Sequence, residues 1–167
     1  MSTPPPVYTV SHVEVKITPG VTDSSPDGMN SLLFSSASSP VWSVEATKHI
    51  FHGSKGQPET IISAVQQAKY GTVTLKQGWD EGYCLAKWRA QIEDPNTPID
   101  QKKKTVDITF FKNDGQTELF TWHTETGLMT NYETAASDPA SNGLLTVSVT
   151  IDADSWQQTV NGSPITA

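Results

Sequence analysis

Several segments of the chain alternate apolar and polar residues with a period of two, and this pattern constrains the fold most. Near the N-terminus Val13, Val15 and Ile17 alternate with polar residues, and residues 145–151 repeat the pattern near the C-terminus. Successive side chains of a strand point to opposite faces, so this period is typical of a strand with one buried face. The pattern therefore predicts a sheet of half-buried strands.

One hairpin and one helix can be added to these strands. Residues 104–111 and 118–123 are strand-like, and the Asn113-Asp114-Gly115 segment between them contains an Asp-Gly pair, which is a strong hairpin signal. Apolar residues recur at three- and four-residue steps over about residues 79–93, as on an amphipathic helix. Residues 130–142 are polar and are predicted to be a connection.

Together these elements predict the fold class. We expect a mainly β fold, a closed antiparallel barrel or sandwich of six to eight strands with the helix packed on one side. Residues 59–67 fit either a short helix or a strand. The 167 residues fit one domain, which is long enough to bury a sizeable core without a metal or a disulfide.

Two segments outside the predicted strands are candidates for contacts. Residues 1–9 are expected to be an extended arm, flexible or bound to a partner, because they contain three prolines. Residues 21–40 are expected to be a long loop that carries an apolar cluster. A loop of this kind favours a functional contact, and a short strand of the same sheet is the alternative. The candidate contact residues are Pro4, Pro5, Pro6, Met29, Leu32, Leu33 and Phe34.

The charge and cysteine content exclude several classes of protein. The chain has 11 Lys and Arg against 18 Asp and Glu, and its net charge of -7 is unfavourable for binding nucleic-acid phosphates. Cys84 is the one cysteine, so an internal disulfide is excluded. No apolar run is long enough for a membrane segment. Residues 1–6 lack the basic and apolar regions of a secretory signal, so synthesis in the cytoplasm is expected.

The chain carries no recognised catalytic or nucleotide-binding motif. Cys84 lies in the predicted helix, where a cysteine usually packs as a small hydrophobic residue. His49 and His52 have HxxH spacing, but no second pair of metal ligands follows them. We therefore expect a protein that is not an enzyme, with no catalytic residue, no metal site and no cofactor.

The tryptophans leave a binding function open. Trp79, Trp88 and Trp122 lie in core-like patterns, whereas Trp156 follows a strand and is the candidate for exposure. A carbohydrate-binding β-sandwich module without enzymatic activity is therefore one alternative.

One stretch matches a known family more specifically than these patterns. Residues 69–78 read KYGTVTLKQG and precede the Trp-bearing helix, and a DITFFKNDG strand over 107–115 leads to a return strand with a second Trp. The motifs and their order, over about residues 68–152, resemble the tail tube proteins of contractile phages. The motif residues are Lys69, Tyr70, Gly71, Thr72, Val73, Thr74, Leu75, Gly78 and Trp88.

The resemblance implies a structural tail tube subunit of the virion, assembled in the bacterial host cytoplasm. Six copies would form a ring, and the rings would stack into the inner tube of a contractile tail. The implied partners are other copies, the tail sheath and the baseplate proteins, while DNA passes through the lumen without specific binding. Phage-like injection systems share this architecture, so a tube that delivers protein effectors is the alternative.

General physical arguments agree with such a role. A head-to-tail contact that does not close builds a filament, and the apolar cluster and the proline arm are candidates for it. A domain of this length has a radius of gyration of roughly 15 Å, so six copies would leave a bore on the order of a DNA duplex. The negative charge suits passage of DNA, although solubility alone also explains it.

Overall fold

The computed structural model describes residues 10–18, 30–44, 46–52, 58–65, 68–78, 84–135 and 145–165. These residues contain thirteen strands and two helices. In chain order the strands are β1 (Val10–Thr18), β2 (Asn30–Phe34), β3 (Ser36–Ala37), β4 (Trp42–Ser43), β5 (Ala46–His52), β6 (Pro58–Val65), β7 (Lys69–Tyr70), β8 (Val73–Gly78), β9 (Lys104–Lys112), β10 (Glu118–Ala135), β11 (Thr146–Asp152), β12 (Gln157–Val160) and β13 (Ser163–Pro164). The helices are α1 (Cys84–Glu93) and α2 (Ile99–Lys102).

Nine of the strands form one antiparallel sheet. Its path is β2-β1-β9-β10-β11-β8-β3, and β12 and β13 are added beside β10. Two further antiparallel pairs, β4 with β7 and β5 with β6, form separate two-stranded sheets. The main path has two ends, so its order alone does not make the closed barrel that the sequence predicts.

The long strand β10 joins the two halves of the main sheet. Its first part pairs with β9 as far as Gly127 and Lys104, and its second part pairs with β11 from Leu128 onward. The register shifts between Thr124 and Gly127, and such irregularities bend a strand. A Cβ on Gly127 would lie 2.8 Å from Val106 Cγ2, so only glycine fits this bend without displacing its neighbours.

The core lies on the inward faces of the alternating strands, as the period-two pattern predicts. α1 adds buried side chains to it, and Trp88 donates a hydrogen bond from its Nε1 to the backbone oxygen of Lys102, at 2.9 Å. This bond ties α2 to α1. The buried apolar residues are Val13, Val15, Ile17, Phe34, Val73, Leu75, Cys84, Leu85, Trp88, Val106, Ile108, Phe110, Met129, Val147, Val149, Ile151 and Trp156.

The structure corrects the strand count and resolves one open alternative. The described residues hold thirteen strands where six to eight were predicted, because two-residue strands such as β3 and β4 are too short to show alternation. The ambiguous residues 59–67 lie largely in a strand, β6. The predicted connection over 130–142 is also partly strand, because β10 continues to Ala135.

Two expected segments lie partly or wholly outside the described residues. The expected loop over 21–40 contains β2 and β3, so the alternative of a short strand holds for the part that carries Leu32, Leu33 and Phe34. The arm over 1–9 lies outside the described residues. The predicted helix over about 79–93 is observed from Cys84 to Glu93, and residues 79–83 lie outside the described part.

Candidate assembly surfaces

The β2 strand separates the residues of the apolar cluster by their faces. Phe34 is buried opposite Val13, and Leu32 is half-buried and packs against the core. Leu33 lies between them and is 68% exposed. Of the three cluster residues described, Leu33 is therefore the one exposed enough for the expected contact, because Phe34 belongs to the core. Met29 and the prolines Pro4, Pro5 and Pro6 lie outside the described residues.

The motif segment over residues 69–78 is mainly structural. Val73 and Leu75 of β8 are fully buried, and Gly71 donates a backbone hydrogen bond to the Val41 oxygen at 2.7 Å. Trp88 is fully buried as well. Of the other motif residues, Lys69 and Thr72 are exposed, and Tyr70 and Thr74 are half-buried. Gly78 ends β8 opposite Thr146.

A second exposed apolar surface, which no sequence pattern predicts, lies beside this segment. Val41 is 68% and Trp42 is 61% exposed, and Trp42 pairs with Tyr70 in the small β4–β7 sheet. Large apolar side chains that lie together on a surface are typical of interaction sites. A two-residue strand after Pro40 shows no alternation, so nothing local in the sequence indicates which way Trp42 points.

The tryptophans form no sugar-binding platform within the described residues. Trp156, which was the candidate for exposure, is buried at 3%. Trp88 is also buried and Trp122 is half-buried, which leaves Trp42 as the exposed ring of the four described tryptophans. Trp79 lies outside the described residues.

A groove runs between α1 and the second part of β10. The Arg89 guanidinium bonds to Glu93 at 2.7 Å and lies over the Tyr132 ring, 5.5 Å from the ring centroid. Beyond Gly127 the described residues pair β10 on one side only, with β11. The groove measures about 330 Å³ and is lined by Arg89, Ile92, Glu93, Met129, Thr130, Asn131 and Tyr132.

The titratable side chains show a single close histidine–carboxylate pair among those described. His123 Nδ1 and Asp107 Oδ1 are 2.6 Å apart on neighbouring strands. No group of three or more His, Cys, Asp or Glu side chains that could hold a metal occurs within the described ranges. His49 and His52 lie in β5, which is extended and not helical. Neither of the two described helices has the length and apolar character needed to cross a bilayer.

Comparison with known proteins decides the family. The model of the T4-like virus tail tube protein gp19 family matches residues 12–157, which is most of the chain. The chain belongs to this family. The match begins at residue 12, so it covers most of the first half of the chain as well as the motif segment. No curated protein matches the chain.

Solved structures related to this tail tube family member have the same fold. A chain in the cryo-EM structure of the anti-feeding prophage baseplate, 6-fold symmetrised, has a TM-score of 0.67 at 17% identity, over 95% of this chain and 97% of that one. A chain in the extended sheath-tube complex of the PVC extracellular contractile injection system has a TM-score of 0.57 at 19% identity, over 93% and 90%. Hcp1 from Flavobacterium johnsoniae has a TM-score of 0.51 at 13% identity, over 93% and 99%.

These findings confirm the resemblance to tail tube proteins and place the protein among tube components. It is a tube protein of a contractile phage tail or of a related injection or secretion system. At identities below 20% the structural likeness shows the shared fold. The arrangement of subunits is a separate question.

Proposed function

We propose that this chain forms hexameric rings that stack into the inner tube of a contractile phage tail. The observation that carries the proposal is the family match over residues 12–157. The chain in a 6-fold symmetrised baseplate, which has the same fold over nearly its full length, supports the ring number.

A closed barrel within each subunit is part of this proposal. The two ends of the main sheet, β2 and β3, follow one another in the chain across Ser35. Ser35 donates to the Lys76 backbone oxygen from both its N–H and its Oγ, each at 2.9 Å. Ser38 and Thr74 exchange two further bonds, at 2.9 and 2.8 Å. Because one continuous segment bonds to both edges, it would close the sheet.

The contacts between subunits would use the exposed apolar side chains. Leu33 on β2 and the Val41–Trp42 surface beside β7 expose large side chains that water solvates poorly. We assign Leu33 to the stacking of rings, together with Met29 and the proline arm of Pro4, Pro5 and Pro6. A contact between two different surfaces of the same subunit repeats without limit and so builds a tube.

The subunit would have structural partners and perform no reaction. A structural neighbour of this chain comes from a sheath-tube complex, which supports a sheath around the assembled tube and a baseplate at its end. The chain has a net charge of -7, so a tube built from it would let DNA pass without holding it. The particle would be a virion assembled in the bacterial cytoplasm.

Negative-stain microscopy of the purified full chain tests this proposal. We expect rings or tubes with a uniform bore, at a concentration where the protein is well folded by circular dichroism. A folded protein that stays monomeric at every concentration, and that also appears in no tube of the purified particle, would contradict it.

The second candidate is the tube of a phage-like injection system, with protein effectors as cargo. It is favoured by the neighbours from the anti-feeding prophage and the extracellular contractile injection system. Purified particles separate the two candidates. Nuclease-resistant DNA attached to the tube supports the phage tail, whereas particles without DNA that retain protein within the tube support the injection system.

A further inference from the structure

The turn between β12 and β13 consists of Asn161 and Gly162, and both residues are exposed. Asn161 has a φ of 51° and Gly162 has a φ of 74°. Positive φ at both central residues is typical of a type I′ hairpin turn, for which Asn-Gly is a preferred pair. The pair therefore suits the turn, and it also places an amide side chain next to the backbone nitrogen of a glycine.

An Asn-Gly pair has a reaction of its own. The Gly162 backbone nitrogen attacks the side-chain carbonyl carbon of Asn161, and a five-membered succinimide ring forms as the bond from that carbon to the amide NH₂ breaks. The NH₂ leaves as ammonia with the proton of the Gly162 nitrogen. Water then opens the ring at either carbonyl, which gives aspartate or isoaspartate. Glycine favours the attack because it has no Cβ beside the nitrogen.

The surroundings of Gly162 leave room for this reaction. A Cβ added to Gly162 would meet no described atom within 4 Å outside its two chain neighbours. At Gly127, by contrast, an added Cβ would lie 2.8 Å from Val106 Cγ2. The backbone at Gly162 can therefore change its angles without displacing a packed neighbour.

The pairing that holds the turn is short. β13 pairs with β12 through two residue pairs, and one of its residues, Pro164, has no N–H to donate. A further backbone bond runs from the Ile165 N–H to the Gln158 oxygen, at 3.2 Å. Closure of the succinimide ring rotates the Asn161 backbone out of the turn geometry, so the hairpin must open first. A short pairing of exposed backbone opens at little cost in free energy.

We propose that Asn161 is a site of spontaneous deamidation in the folded protein, with water as the co-reactant. The inference does not depend on assembly. The reaction places a negative charge next to exposed apolar side chains, because Val160 is 39% and Ile165 is 61% exposed. Isoaspartate also adds a main-chain atom to the turn, so we expect that product to lose the pairing of β12 with β13.

Isotope labelling of the purified full chain tests this site. The folded protein is kept in H₂¹⁸O at mildly alkaline pH, where hydrolysis of the ring leaves ¹⁸O in the new carboxyl group. Chymotrypsin cleaves after Trp156, which separates Asn161 from Asn142, the asparagine of the other Asn-Gly pair in the sequence. Mass spectrometry with fragmentation of the peptide then locates the label.

Two other asparagines are matched controls within the same sample. Asn96 and Asn131 are also exposed, but the residues that follow them are Thr97 and Tyr132, whose side chains crowd the attacking nitrogen. We expect the label to enter at Asn161 at least about 10-fold faster than at either control. Labelling at Asn161 that is no faster than at the controls would overturn the proposal.

The chain unfolded in urea at the same pH gives the reference rate for Asn161 itself. Because the hairpin opens easily, the rate in the folded protein should lie within about 10-fold of the rate in urea. A larger protection in the folded protein would show that the turn holds Asn161 unreactive, and the proposal would then be wrong.

Discussion

Glycine is required at position 127 because another strand, distant in the sequence, passes close to its backbone. Its backbone passes so close to β9 that an added Cβ would lie 2.8 Å from Val106 Cγ2 and 3.1 Å from the Lys104 oxygen. Nothing in the sequence around Gly127 indicates this contact, because the neighbouring atoms lie more than twenty positions upstream. The bend of β10 was therefore not predictable from local pattern.

Replacing Gly127 with alanine should destabilise the subunit by about 1–3 kcal/mol, because β9 would have to move. Gly71→Ala is the control, since its Cβ would meet Val41 at an ordinary 3.4 Å. We expect less than about 1 kcal/mol there. Urea denaturation of both variants measures the difference. Equal losses for the two variants would show that the approach of β9 is not what requires glycine at 127.

Asp114 illustrates a residue whose role the sequence did predict. Its carboxylate accepts backbone bonds from Gln116 at 3.0 Å and Thr117 at 2.8 Å, and Gly115 has a φ of 69°, as the hairpin signal implies. The side-chain and backbone bonds from Thr117, with that from Gln116, lower the pKa of Asp114 to about 2.

A lowered carboxyl pKa stabilises the fold above the unfolded value of about 4 and loses that effect as the pH falls toward 2. Asp114→Asn should therefore be less stable than wild type near neutral pH, and the gap should close between about pH 4 and pH 2. Thermal melts over a pH series measure it. A gap that stays constant down to pH 2 would mean that ionisation of Asp114 does not contribute.

At the scale of elements, β2 places neighbouring residues on opposite faces. The sequence identified the apolar cluster but left open whether it was a loop contact or a strand. The strand pairing of Phe34 with Val13 and of Leu33 with Glu14 separates the core residue from the exposed one. This register depends on β1, so the cluster alone was insufficient to predict it.

Leu33→Asp should leave the subunit folded and block the stacking of rings, because it places a charge in an apolar contact. Phe34→Ala is the counterpart in the core and should cost about 3–5 kcal/mol of subunit stability. Melting curves and sedimentation velocity separate the effects. Normal tubes from the Leu33→Asp variant would remove Leu33 from the stacking surface.

The docking of α1 depends on one buried indole. Trp88→Phe loses the bond to Lys102 and leaves space in the core, so we expect a loss of about 1–3 kcal/mol. The same substitution at the exposed Trp42 should cost less than about 0.5 kcal/mol in the subunit. Chemical denaturation compares them. A larger loss at Trp42 than at Trp88 would contradict the burial pattern.

Elements differ in how far the sequence predicts them. The helix around Trp88, the β9–β10 hairpin and the alternating strands β1 and β11 were predicted because each carries its own period or turn signal. The second part of β10 was missed because residues 130–135 are mostly polar and exposed, as expected for a strand that borders a groove. Exposed Trp42 was missed because a two-residue strand has no period.

At the scale of the whole molecule, the family motif says more about the function than the alternation and spacing of apolar residues do. The alternation and spacing of apolar residues predict a mainly β fold, and the sequence carries no recognised catalytic motif. These features do not distinguish a sugar-binding module from a tube subunit. The motif over residues 69–78 pointed to tail tubes, and the family match over 12–157 confirmed it. The buried motif residues Val73, Leu75 and Trp88 show why the motif marks a fold.

We propose that six copies of this chain join into a ring around an open channel. Native mass spectrometry of the purified full chain, below the concentration at which tubes form, tests it most directly. We expect a dominant species at six times the 18.1 kDa of one chain. A single species at 18.1 kDa across all concentrations, or a ring of another number, would contradict it.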